Sequence, residues 1–321
     1  MSAERILVVS TSFPRVAGDP AGHFVATEAA ALVRAGHCVT VIAPGEDRVI
    51  EGVPVVGLPD GGAFGWPGAL ARLRERPTRA LGALAFTHRA RRALREHAHD
   101  RLIAHWLLPG AWPIASASSA PLEVVAHGSD VRVLARLPRR LRQRIVAELR
   151  ERGARIRCVS QQLAGELAAL DPRIAERVTV EPAPLDTEGA PSRAAARALL
   201  GVAEDERLLV IAGRLVREKR LDVALAAAEL IPEARVVVLG DGPEHSRLRE
   251  LFPSARFLGL LPRDRALAWI AAADLVLSAS RTEGAPTVLR EARSLGVPVV
   301  SAVAGDLARW AEQDRDVWTV T

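Results

Sequence analysis

The 321-residue sequence has no tyrosine, no asparagine, one methionine and, among 43 basic residues, one lysine, Lys219. These residues share A/T-rich codons, so the pattern points to GC-rich coding. A lysine that persists against such a bias marks a place where a compact ammonium serves better than a guanidinium, although chance retention also explains it. Cysteine is nearly absent. Cys38 and Cys158 form no framework, which excludes a disulfide scaffold and favours two reduced core residues in a cytoplasmic setting. No apolar run approaches the ~18–20 residues that span a bilayer, and the chain enters a strand at Arg5 with no signal-peptide pattern. Aromatics are only 4% of residues and do not interleave with the arginines, which argues against a single-stranded nucleic-acid binder. Four motifs are missing too. Without G-x-G-x-x-G after the first strand, G-x-x-x-x-G-K-[ST], G-x-S-x-G or a metal-spaced His/Cys/Asp cluster, a dinucleotide oxidoreductase, a P-loop NTPase, an elbow-type serine hydrolase and a metalloenzyme all lose support. Asp314-Arg315-Asp316 has Asp-x-Asp spacing but precedes a strand and reads as a turn.

What is present is an alternation of strand-like and helix-like runs, the pattern of mostly parallel sheets wrapped by helices. Strands are expected near 5–10, 38–43, 53–58, 101–105, 122–127, 155–159 and 177–180, with helices near 22–35, 68–75, 78–98, 138–152 and 161–169. A Pro/Gly-rich linker follows at 181–191. The pattern then restarts, with strands near 207–212, 235–239, 255–258, 274–278, 297–301 and 316–320. The expected fold is α/β: two doubly wound, Rossmann-like domains, 1–186 and 187–321, facing a cleft, with ligands beyond the carboxyl ends of the strands. Charge is uneven. Residues 1–187 carry 25 Arg against 19 Asp and Glu, a basic balance that suits an anionic partner such as a membrane surface. Six arginines between 132 and 144 either form a solvated helix face or dock on anionic lipid.

The stretch from Arg281 to Ala292, continuing through Gly296 to Val300, is the densest in signals. A helix is expected to start at Pro286 and to end at Leu295, with Gly296 in the left-handed cap. Val288, Ala292 and Leu295 form its expected buried stripe, which leaves Glu291 on the margin and Glu283 in the loop before the helix. A carboxylate at a core margin needs donors. Ligand hydroxyls supply them in one reading, a nearby arginine in the other.

Other candidates lie at strand ends. The Ser10–Gly22 loop opens a helix at His23 and suits close approach of a phosphate, as it also suits an ordinary turn. His105 and His127 each end a strand, and Asp130 is placed to cap the helix after His127. Arg214 and Lys219 follow the first strand of the second half, a guanidinium and a point ammonium suited to a diphosphate, or simply a solvated charge run. Gly240-Asp241-Gly242-Pro243 opens a further helix with proline near its first position.

Together these residues resemble a known family. Glu283-Gly284-x-Pro286-x-Val288-x-x-Glu291-Ala292 with Gly296-x-Pro298-Val299-Val300 resembles the two-glutamate motif of retaining nucleotide-sugar glycosyltransferases of family 4. Gly213-Arg214-Leu215-x-x-Glu218-Lys219 resembles that family's diphosphate-binding pair. His127-Gly128-x-Asp130, Gly240–Pro243, Phe257-Leu258-Gly259 and the first loop match in order, as does His105–Gly110, seen in members that build cell-surface glycans. The resemblance implies a GT-B fold, with an N-terminal acceptor domain and a C-terminal nucleotide-sugar domain. It implies that Arg214 and Lys219 neutralise the departing diphosphate, Glu291 accepts the ribose hydroxyls, Glu283 faces the sugar and His127 contacts it near the reacting carbon. Gly18 and Gly22 would let the first loop close on the phosphates. Gly240, Leu258 and Gly284 would complete the donor site, with His105 on the acceptor side.

The implied protein is a bacterial, metal-independent, retaining hexosyltransferase of polysaccharide biosynthesis. It would act without a cofactor on a nucleotide-diphosphate sugar and a glycan or lipid-linked acceptor, in the cytoplasm or peripherally at the inner membrane face. Nucleic acid is not an expected partner. A non-catalytic nucleotide-sugar-binding protein and a nucleotide-sugar epimerase of the same fold are the alternatives. Departures from the pattern are Ala183–Asp186 in place of Asn-Gly-Val-Asp, Gly305-Asp306 in place of a glycine pair with a downstream glutamate, and Arg293 after Glu291-Ala292. The sequence to Thr321 ends on a strand, so the family's C-terminal crossover helices are expected to be missing from it.

Overall fold

A computed structural model describes residues 3–320. It divides the chain into two compact units, 1–184 and 185–321, a boundary two residues before the expected one. The first unit contains strands β1 (Arg5–Val9), β2 (Cys38–Pro44), β3 (Arg48–Ile50), β4 (Val53–Leu58), β5 (Arg101–His105), β6 (Leu122–Ala126), β7 (Arg155–Cys158) and β8 (Val178–Val180). Its helices are α1 (His23–Arg34), α2 (Ala69–Glu75), α3 (Arg79–Glu96), α4 (Ser129–Arg136), α5 (Arg139–Glu151) and α6 (Gln161–Leu170). The sheet order is β3-β4-β2-β1-β5-β6-β7-β8. All pairings are parallel except β3 with β4. The chain runs outward from β1 to one edge and returns at β5 to build the other half. The point where strand order reverses therefore lies between the carboxyl ends of β1 and β5, the place where doubly wound sheets hold ligands.

In the second unit the order is β11-β10-β9-β12-β13-β14, entirely parallel. The elements are α7 (Arg193–Leu200), β9 (Arg207–Ala212), α8 (Leu221–Glu229), β10 (Ala234–Leu239), α9 (His245–Leu251), β11 (Arg256–Phe257), α10 (Arg263–Ala272), β12 (Leu275–Ser278), α11 (Thr287–Ser294), β13 (Val299–Ala302), α12 (Leu307–Gln313) and β14 (Val317–Val320). Its strands are apolar on both faces because both faces are covered. Leu208 and Val210 point into one core with Trp269, Leu289 and Leu307, while Leu209 and Ile211 point into the other with Leu225 and Leu248. Here the reversal falls between β9 and β12, so the loops after these two strands flank the ligand edge.

Several expectations are corrected. Cys38 is exposed at the start of β2, and Cys158 alone is a core thiol, which burial pushes up to about 12. Strand β3 was not expected, and the helix expected after His127 begins at Ser129 as α4, ahead of the 138–152 range, with Pro138 separating it from α5. Pro243 lies two residues ahead of α9, and Pro286 is the cap of α11 rather than its first residue. In α11 the fully buried apolar residues are Leu289 and Ala292, and Val288 is only half-buried. Glu291 is not at a margin, since it is 4% exposed. Gly296 takes the left-handed conformation expected of it, φ 71°.

Candidate functional site

The second unit gathers its charged candidates at the reversal point. After β9 the backbone turns through Gly213 and Arg214, and a short helical turn at Arg217–Lys219 precedes α8. The loop is pinned from both sides. Gly213 N donates to Leu239 O at 2.9 Å, Leu215 N to Asp241 O at 3.0 Å, and Glu244 N to Leu215 O at 3.0 Å. Gly240, at φ 123°, allows this approach: a Cβ there would lie 1.9 Å from Gly213 O. Gly240 N in turn donates to Gly259 O at 2.8 Å, and Leu258 N to Val238 O at 3.0 Å, so the loops after β9, β10 and β11 form one backbone platform. Leu258 itself packs half-buried against the core.

Across the reversal point, the loop after β12 carries Glu283 and Gly284. Lys219 Nζ donates to Glu283 Oε1 at 2.5 Å, and Arg281 N donates to Glu218 O at 3.2 Å. Arg214 stands close enough to feel the charges of Glu283 and Glu218. Its side chain reaches solvent yet is crowded enough for desolvation to lower its pKa, an effect that the two glutamates oppose. A guanidinium stays charged under either influence. Gly305, at φ 59°, brings the loop after β13 onto the same edge, since a Cβ there would meet Gly284 O at 3.0 Å and Glu283 O at 3.1 Å. The arrangement is a lysine, an arginine and a carboxylate on a rigid rim of strand ends. Chemically it can bind an anion while keeping an acceptor beside it.

Glu291 is held separately. Arg263 Nη1 donates to Glu291 Oε1 at 2.5 Å, and Arg263 Nη2 donates to Asp186 O at 2.5 Å. Arg263 was not singled out from sequence. Its one local signal is its place at the first turn of α10, directly after the strand-end loop of β11. An arginine partner for Glu291 was one of the two readings left open, and the structure shows it.

In the first unit, the equivalent edge holds the histidines. His105 is the last residue of β5, and His127 follows β6. His105 Nδ1 lies 3.0 Å from His127 Nε2. Their ring centroids are 5.2 Å apart with planes 15° apart. Phe24 and Trp106 pack on His127 at centroid distances of 5.0 and 4.8 Å. Trp106 has φ 68°, a strained conformation for a bulky residue. Asp130 does not cap α4, whose cap is Gly128. Its carboxylate is buried and turns back to accept from Leu107 N at 2.8 Å, Gly128 N at 2.8 Å and His127 N at 3.2 Å, which ties the β5 and β6 loops together. Burial pushes the Asp130 carboxyl up, against those amide bonds. Burial, reinforced by the nearby Arg157 charge, lowers His127 to about 3 and takes His105 well below its ordinary value, so both rings are neutral. Arg157, itself buried on β7, pairs with Glu28 of α1 and with Glu123 at 3.0 Å. This network was not anticipated, because nothing local in sequence links 28, 123 and 157.

Gly22, at φ 74°, begins α1 and backs onto the first loop, where a Cβ would lie 2.2 Å from Ser12 O. Gly18, at φ 79°, sits farther out in the same loop. Among the described residues, no group of three or more His, Cys, Asp and Glu side chains is placed to hold a metal ion. None of the described helices is long and apolar enough to cross a membrane.

Two family models match the chain: "Glycosyltransferase Family 4" over residues 21–188 and "Glycosyl transferases group 1" over 206–321. TuaC of Bacillus subtilis, provisionally named a teichuronic acid biosynthesis glycosyltransferase, is 31% identical over 216 residues, covering 65% of this chain and 54% of TuaC. Glycogen synthase of Mycobacterium tuberculosis is 29% identical over 338 aligned positions, covering 94% of this chain and 79% of that protein. The chain thus spans about half the length of the first of these relatives. Among solved structures, Anabaena HepE in complex with UDP and glucose superposes with a TM-score of 0.72 at 21% identity, over 99% of this chain and 86% of HepE, a likeness that speaks for the fold. The family model that covers the larger part of the chain, together with the α/β sheets of both units, identifies the chain as a member of glycosyltransferase family 4.

Proposed function

We propose that the chain is a retaining glycosyltransferase that moves a hexose from a nucleotide-diphosphate sugar to a cell-envelope polysaccharide or lipid-linked acceptor, without a metal. The observation that carries this is the cluster of Lys219, Arg214 and Glu283 on the two loops that flank the β9/β12 reversal point. In glycosyl transfer the bond to the leaving phosphate breaks with oxocarbenium character at the sugar and growing negative charge on the diphosphate. Fixed cations at that place lower the barrier. Lys219 and Arg214 fill this role in the proposal, Glu283 and Gly284 face the sugar, and Glu291 takes the ribose hydroxyls beside its arginine partner. The first unit is the acceptor unit in this reading, with His127 as its candidate sugar contact and Gly18 and Gly22 in its first loop as candidate phosphate contacts. Attack comes from the face that the leaving group vacates. Arg136, Arg139, Arg140 and Arg144 are exposed on α4 and α5, which supports peripheral contact with anionic lipid on the cytoplasmic side.

A thermal-shift series with UDP-, GDP- and ADP-sugars, followed by donor hydrolysis and transfer assays, tests the reading. Turnover that disappears in Lys219→Ala and Glu291→Ala is expected. Tight donor binding with no turnover at any acceptor would instead mark a binding protein, and sugar isomerisation without an acceptor an epimerase.

A further inference from the structure

His105 has no direct part in the proposed reaction, yet it is 1% exposed, polar, and sits at the end of a strand beside the one histidine that does. Two imidazoles meeting edge to edge through one hydrogen bond have centroids about 5 Å apart, as the N–N distance of roughly 3 Å is extended by a ring radius on each side. The observed 3.0 Å and 5.2 Å, with planes only 15° apart, fit this in-plane pairing rather than face-to-face stacking. A single proton lies between Nδ1 of His105 and Nε2 of His127, so the tautomer of one ring dictates the tautomer of the other.

The geometry points to His105 as a positioning residue for His127: its hydrogen bond fixes the plane and tautomer of the ring that is the candidate sugar contact. Phe24 and Trp106 also pack on that ring, which further restrains it. Burial, more than any neighbouring charge, holds the pair neutral. Arg157 approaches from β7 and disfavours a second positive charge on either ring. Glu28 on α1 and Glu123 on β6 bind Arg157, and Asp130 on α4 is engaged by backbone amides of the two histidine loops. A neutral His127 with a dictated tautomer offers the sugar one defined donor or acceptor, and it does not add positive charge beside an oxocarbenium-like centre.

The inference rests on the glycosyltransferase reading for its catalytic consequence, but not for the pairing itself. Three variants of the full chain test it: His105→Phe keeps the volume, His105→Asn keeps a polar group at the Nδ1 position, and His127→Ala removes the partner. His105→Phe is expected to lower kcat for donor turnover about tenfold, the value of one hydrogen bond to a positioned group. KM for the donor and the dissociation constant for UDP, GDP or ADP stay unchanged. His105→Asn recovers most of the loss, and adding His127→Ala to His105→Phe costs no more than His127→Ala alone. An Asn variant no better than Phe, or effects that multiply, would overturn the role. Should the parent chain turn over no nucleotide sugar, the functional reading fails, and the pairing is judged by imidazole nitrogen NMR. One protected ring proton, lost in His105→Phe, and neutral rings at pH 5 are expected; two rings titrating independently near about 6.5 would sink it.

Discussion

Lys219 Nζ lies 2.5 Å from Glu283 Oε1, so the single lysine of the sequence joins the loop after β9 to the loop after β12. Neither side chain is fully buried, at 22% and 10% exposed, and a pair of this kind contributes little net stability. Its partner can therefore be exchanged. A diphosphate arriving at the edge would share Lys219 with Glu283 and leave the glutamate oriented beside the sugar. Lys219→Ala is expected to weaken UDP, GDP or ADP binding about 10–100-fold, the worth of one charge-assisted hydrogen bond. Lys219→Arg should restore only part of this, since a planar fork does not replace a point charge between loops. Calorimetric titration checks both; an alanine variant that binds as tightly as the parent would remove Lys219 from the site.

Gly240 controls where Arg214 can stand. An alanine Cβ would be 1.9 Å from Gly213 O, and the backbone there already sits at φ 123°. The loop after β9 must then move, and with it Arg214 and Lys219. Gly240→Ala should abolish detectable nucleotide binding. Gly189→Ala, also at positive φ but with nothing within 4 Å, should cost only ~1–2 kcal/mol and leave binding intact. Urea unfolding beside nucleotide titration separates the two effects.

These residues differ in how legible they were. The second-unit strands could be read nearly to the residue because burial on both faces leaves runs such as Leu208-Leu209-Val210-Ile211 with no polar break. Lys219 stood out by rarity and Glu283 by its place before a helix. By contrast, β3 is three residues with no apolar run, and α4 is eight residues squeezed between the His127 loop and Pro138. The Glu291–Arg263 and Arg157–Glu28 pairs join residues 28 and 129 positions apart, and periodicity carries no information about such contacts. Leu289 rather than Val288 is the fully buried position, because a 3.6-residue period fixes a face only to within one residue at its margin.

Arg263 should matter for stability more than for charge. It joins Glu291 of α11 to the Asp186 carbonyl at the start of the second unit. Arg263→Met removes both bonds and leaves a buried carboxylate short of a donor, at a cost of about 2–3 kcal/mol. The paired Arg263→Met/Glu291→Met variant should recover part of that loss, since the buried carboxylate is removed along with its arginine. If Glu291 also receives ribose hydroxyls, Glu291→Gln lowers nucleoside diphosphate affinity in addition to the loss of stability that breaking its ion pair with Arg263 brings. An unchanged affinity would confine Glu291 to a structural role.

The histidine pair gives the fold a defined acid response. In the folded chain His127 is lowered to about 3 and His105 well below its ordinary value, chiefly by burial. Unfolded, both protonate near the usual value of about 6.5. Their contribution is thus fully present above pH ~6.5 and is lost as pH falls toward the folded values, because the unfolded chain then binds more protons. Glu28 and Asp130, raised by burial, act in the opposite sense: their contribution is present below the ordinary carboxylate range and is lost as pH rises through their folded values. Each histidine adds a slope approaching about 1.4 kcal/mol per pH unit as pH falls below about 6.5. His105→Phe should remove one histidine's share of this acid slope, about half of what the pair contributes. Urea midpoints measured from pH 5 to 8 decide the matter: a parent and a His105→Phe variant with parallel profiles would mean that the two rings are not held neutral in the fold.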